Sequence, residues 1–252
     1  VSGSRSFQEA SAIVSVVSPS PFEAEARRRW IGFVSEDGAD AREENDDPRL
    51  IFLEADSEAP GDLSRFGGDF LGDADRARWE SMIAPARRFE FLLGRWALHL
   101  LKTGSPDEGS WTTSLSHTQI VARTGDGTAE GTRIRHACVA VGLRTTGRVQ
   151  VGVDLERFDR PVSAKVLRRL VLEPRTGVTP ISEWTVREAL WKANPVVDDH
   201  KGILAHYQPV EGRDSYRGPD PEGSVAALRG CSFPLGQHWQ MAFALGSRKG
   251  TR

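Results

Sequence analysis

Cysteine is scarce in this chain of 252 residues: Cys138 and Cys231 are the only two. That excludes a disulfide framework, and no Cys/His cluster has the spacing of a zinc site. An excess of one charge is lacking as well, with 33 Lys and Arg against 35 Asp and Glu and a net charge of −2 at pH 7. Such a balance leaves no basic footprint for nucleic acid. No hydrophobic run approaches the roughly 20 residues of a membrane span. The N-terminal SAIVSVVSPSPF, with Glu9 just ahead of it, is too short for a signal peptide. The glycine-rich run RTGDGTAEGTRIR (123–135) lacks the phosphate-loop pattern and reads as a surface loop. The expectations are a reducing, cytoplasmic setting and no nucleic-acid or membrane partner.

The composition that remains, 38% hydrophobic and 27% charged, is that of a globular chain long enough for one large domain or two small ones. Residues 1–45 end in an acidic, turn-rich run and read as an extension with a solvated linker. RLIFLEAD (49–56) reads as a strand. In RRFEFLLGRWALHLLK (87–102), Phe89, Leu92, Leu93, Trp96, Ala97, Leu100 and Leu101 follow the spacing of an amphipathic helix, with Pro85 near its start. ACVAVGLR (137–144) and VQVGVDLE (149–156) read as two strands joined by a tight turn. SAKVLRRLVL (163–172) reads as a helix capped by Ser163, and a further helix carries WTVREALWK (184–192) and stops before Pro195. SVAALRG and HWQMAFALG read as late strands. This order predicts an α+β protein with two related layers, divided into residues 46–148 and 149–252.

Asp154 and Glu156 are two apart on a strand, so both carboxylates leave the same face. Two like charges that close are costly unless something positive sits with them. One reading is a strand running out to solvent. The other is a hard cation, because Mg²⁺ takes one or two carboxylates and bridges to phosphate oxygens. Trp184, Glu188 and Lys192 lie four apart and share one helix face. Glu188 is placed to add a third oxygen ligand, and Lys192 to neutralise a phosphate or leaving group.

In order, RRFEFLLGR, GSWTTSLSHT, VGVDLE and WTVREALWK resemble the phosphopantetheinyl transferases, the larger monomeric type associated with siderophore and polyketide synthesis. The resemblance runs from about residue 85 to 193, and HWQMAFALG is similar to that family's closing strand. It implies two similar α/β subdomains related by a pseudo-twofold axis, each a small, mainly antiparallel sheet on a long helix. It also implies transfer of the phosphopantetheine arm of coenzyme A to a serine of an apo acyl or peptidyl carrier protein, with Mg²⁺ as cofactor and a monomer as the working unit. By position, Asp154, Glu156 and Glu188 would hold Mg²⁺, and Glu188 would help deprotonate the serine. Lys192 would contact the phosphates, while Arg87, Arg95, Ser116 and His117 would hold the nucleotide end. Arginine forks suit phosphate oxygens.

Arg187 stands where the family has lysine, and the basic residue expected ahead of the tryptophan is missing from GSPDEGSW, unless Lys102 substitutes for it. Two other functions stay open. One is a family member that binds coenzyme A or a carrier without transfer, which Arg187 favours. The other is a serine hydrolase using Ser114 or Ser116 with His117. Against it, no G-x-S-x-G elbow occurs, and neighbouring strand residues point to opposite faces.

Overall fold

The computed structural model describes residues 17–35, 48–57, 70–103, 110–123, 132–144, 149–163, 179–194, 207–210, 215–218 and 225–248. The helix expected over 163–172 lies almost wholly outside them. Nine strands and four helices are described: β1 (Val17–Pro19), α1 (Glu23–Ser35), β2 (Arg49–Ser57), α2 (Asp73–Ser81), α3 (Pro85–Lys102), β3 (Trp111–Arg123), β4 (Thr132–Arg144), β5 (Val149–Arg157), α4 (Pro180–Ala193), β6 (Gln208–Pro209), β7 (Ser215–Arg217), β8 (Val225–Leu235) and β9 (Trp239–Arg248). They form two sheets, β1-β2-β4-β3 and β5-β9-β8-β7-β6, in which every described pairing is antiparallel. The class is α+β.

Strand alternation divides the core. Residues Val139, Val141 and Leu143 of β4, Val151, Val153 and Leu155 of β5, and Met241, Phe243 and Leu245 of β9 meet in a central core between the sheets. On the far side of the first sheet, α3 buries Phe89, Leu92, Leu93, Ala97 and Leu101 against Leu53, Cys138 and Ala140. Each large side chain buried there contributes about 1.5–3 kcal/mol, so this stripe fixes the helix. On the far side of the second sheet, α4 buries Val186, Ala189, Leu190 and Ala193 against Leu228, Ala242 and Ala244. Thr179 caps α4 by accepting from the Ser182 N–H at 3.2 Å, and Pro180 occupies its first turn.

Three sequence expectations differ from the fold. β1 and α1, within the stretch set apart as an extension, belong to the body: β1 pairs with β2, and Ala26, Trp30 and Phe33 of α1 enter the central core. β4 and β5 are not a hairpin, because β2 and β3 already occupy the two edges of β4 and β5 pairs with β9 in the other sheet. The run 123–135 is partly strand, with Arg123 opposite Thr132 at the end of the β3–β4 ladder. Among the described residues, no helix is long and apolar enough to cross a membrane.

Candidate active site

The edges of the two sheets meet at β3 and β5, and side chains join them there. Val153 N–H donates to Ser114 Oγ at 3.0 Å and Leu155 N–H to Ser116 Oγ at 3.1 Å. Serine hydroxyls thus satisfy N–H groups on this side of β5. With Val151, Val153 and Leu155 in the central core, alternation sets Gly152, Asp154 and Glu156 on the opposite face, beneath α4. Gly152 permits the close approach: a Cβ there would lie 1.9 Å from the Ala189 carbonyl oxygen of α4. Gly246 of β9 does the same, at 2.1 Å from the Ala193 carbonyl oxygen.

That approach brings Lys192 down onto β5. Its Nζ donates to Asp154 Oδ1 at 2.8 Å and to the Val153 carbonyl at 2.9 Å. Ser116 Oγ donates to the same Oδ1 at 2.8 Å. Glu156 Oε1 is held by the Arg160 guanidinium. Both carboxylates are buried, Asp154 5% and Glu156 7% exposed. Their second oxygens, Asp154 Oδ2 and Glu156 Oε2, are buried without a hydrogen-bond partner. Burial and, after it, the Asp154 charge push the Glu156 pKa up, against the pull of Arg160. The Trp184 indole also favours the charged carboxylate, although its N–H does not reach hydrogen-bond geometry.

Two bare, buried carboxylate oxygens leaving one strand face are chemically suited to a hard cation with oxygen ligands. The three-carboxylate set expected from the sequence is not closed. Among the described residues, no three His, Cys, Asp or Glu side chains are grouped tightly enough to hold a metal ion as they stand. Glu188 is half-buried one turn before Lys192, so Asp154 and Glu156 form the pair.

On the other side of β3, His117 faces α3. Its Nδ1 lies 3.8 Å from Glu90 Oε2, and Arg87 Nη1 donates to that oxygen at 3.3 Å. Glu90 is buried and Arg87 largely exposed, with 73% of its side chain open. Burial pushes the His117 pKa down, opposed by Glu90 and reinforced by Lys192 and Arg87. The neutral imidazole is therefore favoured over the charged one more than in a free histidine. The electrostatic partners of His117 come from α3, α4 and β5, so this residue lies where the two sheets meet.

The expected residues thus separate. Asp154, Glu156, Lys192, Ser116, His117 and Arg87 gather around the β3–β5 seam. Arg95 instead meets Asp75 of α2 at 2.9 Å and stacks over Phe91. Ser116 and His117 engage different partners on opposite faces of β3, which does not suit a serine–histidine nucleophile pair. Arg187 is buried in an ion pair with Glu183, Nε to Oε1 at 2.7 Å.

Glu90 and Arg160 were not singled out in the sequence. Glu90 is the charged residue inside the apolar run Phe89–Leu93, and that oddity was the available signal. Arg160 follows the DxE strand by a few residues and carried none. Beside Glu156, Arg160, Pro161, Val162, Ser163, Ile181 and Trp184 line an open cleft of about 130 Å³. Compared with known proteins, the chain matches no family model, and no curated protein matches it.

Proposed function

We propose that this chain transfers the 4′-phosphopantetheine arm of coenzyme A to a serine of an apo carrier protein, with Mg²⁺. The observation that carries this reading is the pair of bare oxygens on Asp154 and Glu156, set beside a lysine and a serine where two sheets meet. Support also comes from the outline of a pseudo-twofold: each sheet carries one long helix on its outer face, α3 on the first and α4 on the second. The cleft by Trp184 adds a mostly apolar wall with one guanidinium, which suits an extended arm of methylenes and amides.

Asp154 and Glu156 would hold the cation against the pyrophosphate, and Glu188, half-buried one turn before Lys192, would join them as a third ligand once the ion draws the set together. When bound, Mg²⁺ supplies charge neutralisation and a template for displacement at phosphorus. In the reaction, the carrier serine Oγ forms a bond to the phosphorus bearing the arm. The bond from that phosphorus to the departing 3′,5′-bisphosphate breaks, and its electron pair leaves with the bridging oxygen. The Glu188 carboxylate accepts the serine proton, directly or through water. The Lys192 ammonium offsets charge on the departing oxygen. Ser116 keeps Asp154 Oδ1 oriented, and Arg87 with His117 receives the nucleotide phosphate.

The test is intact-protein mass spectrometry of apo carrier proteins incubated with this chain, coenzyme A and Mg²⁺. A gain of one arm, lost with EDTA or with Glu188→Ala, supports the transferase. Coenzyme A binding without any gain favours the second reading, a member that binds without transfer; Lys192 seated on Asp154 is the observation behind it.

A further inference from the structure

Each carboxylate of the pair has one oxygen held by a cation of the chain and one bare. Asp154 Oδ1 takes Lys192 at 2.8 Å, and Glu156 Oε1 takes Arg160. Two carboxylates are thus matched by two chain cations. With one chain cation on each, the pair has no net charge left over for a divalent ion. An ion entering alone would sit beside Lys192 and Arg160 in a partly buried site, where like charges repel strongly.

We propose that Lys192 and Arg160 are built-in counter-charges that make divalent-cation binding depend on a polyphosphate ligand. This rests on the reading of Asp154 and Glu156 as the carboxylates that hold Mg²⁺. A pyrophosphate removes the obstacle in two ways. It brings the missing negative charge, and its oxygens accept hydrogen bonds from the ammonium and the guanidinium when these leave the carboxylates. Arg160 is suited to that exchange: half of its side chain is open to solvent, and it lines the cleft beside Glu156. Lys192 sits deeper, with 20% of its side chain open, so Arg160 is the more accessible of the two. The coupling is reciprocal, because a ligand that tightens the cation must be tightened by it to the same factor.

Calorimetric titration of the full chain with Mn²⁺, with and without saturating coenzyme A, tests this independently of turnover. The expected result is a cation affinity at least about tenfold higher with coenzyme A present. Arg160→Gln should bind Mn²⁺ alone severalfold more tightly than the wild type and show a smaller enhancement by coenzyme A. Circular dichroism of this solvent-facing variant checks that it is folded. Equal cation affinity with and without coenzyme A, in a chain that transfers the arm, overturns the coupling alone. Binding of neither Mn²⁺ nor coenzyme A in any combination overturns the functional reading, and the coupling with it.

Discussion

Gly152 and Ala189 are so close that a Cβ on the glycine would stand 1.9 Å from the alanine carbonyl oxygen. That contact sets the height of α4 above β5, and Lys192 reaches Asp154 because of it. Gly152→Ala has no flexible side chain to push aside, only helix backbone. It should cost about 3 kcal/mol, the upper range for overpacking, and lower Tm by roughly 10 °C. The proposed arm transfer should fall even where the variant stays folded. A Tm within two degrees of wild type would contradict the packing described.

Lys192→Met removes the cation from a buried aspartate and leaves Ser116 as a donor to Oδ1. The stranded charge should cost about 3 kcal/mol in EDTA, the low end for a broken buried pair because Lys192 is partly exposed. Mg²⁺ should restore more of Tm in this variant than in the wild type, since it supplies the missing positive charge. On the proposed mechanism, transfer should drop by about two to three orders of magnitude even with Mg²⁺, because the charge on the departing oxygen would lose its partner.

Glu156→Gln should separate stability from activity. Burial and the Asp154 charge raise the Glu156 pKa, so the folded chain binds this proton more tightly than the unfolded one. The group's stabilising contribution is full below the ordinary carboxylate pKa and is lost as pH rises through the raised value. At neutral pH the ionised form is a cost, and the amide removes it. Metal-free Glu156→Gln should therefore be more stable than the wild type at pH 7, read as a rise in Tm, while losing the proposed transfer. The gain should fade near pH 4, where the wild-type carboxyl is protonated. Thermal melts in EDTA at both pH values check the sign.

On the proposed reading, in which coenzyme A places a phosphate beside His117, this residue should take up a proton on binding. Its pKa is lowered chiefly by burial, with Lys192 and Arg87 pushing the same way and Glu90 and Asp154 opposing. A phosphate beside it adds negative charge and draws the pKa back up. Binding should thus strengthen as pH falls from 7 towards 6, with a fraction of a proton absorbed per site. Calorimetry in two buffers of different ionisation enthalpy measures this directly. His117→Asn should abolish the uptake; if the uptake persists, another group receives the phosphate.

The local pattern was legible where one residue type decides the outcome. The apolar stripe of α3 and the shared face of Asp154 and Glu156 follow from period alone. Partnership was not legible, because it is set by which sheet edges are free. β4 and β5 read as a hairpin, yet β4 already has neighbours on both edges. The same holds in the site. Arg95 pairs with Asp75 of α2 at 2.9 Å. Spacing along α3 does not reveal what α2 will present. Gly152 was visible in VGVDLE, while its reason, a helix backbone arriving from nearly forty residues later, was not.

Arg187 poses the sharpest version of that problem. It stands where the resembled family has lysine, directly before Glu188, and so invites a functional reading. Its guanidinium is instead buried with Glu183, one turn earlier on the same helix, at 2.7 Å. A planar, always-charged fork suits a buried ion pair better than an ammonium, which is more strongly hydrated. Arg187→Lys should therefore lower Tm, and Arg187→Ala should cost about 3–5 kcal/mol by leaving Glu183 buried without that partner. Neither change removes a group from the β3–β5 seam. Well below their melting temperatures, the folded variants should keep the wild-type KM for coenzyme A, with kcat within about threefold, on the order of 0.6 kcal/mol in the barrier. A hundredfold loss of kcat with Tm unchanged would instead assign Arg187 to the chemistry. It would mean that the pair with Glu183 opens during turnover.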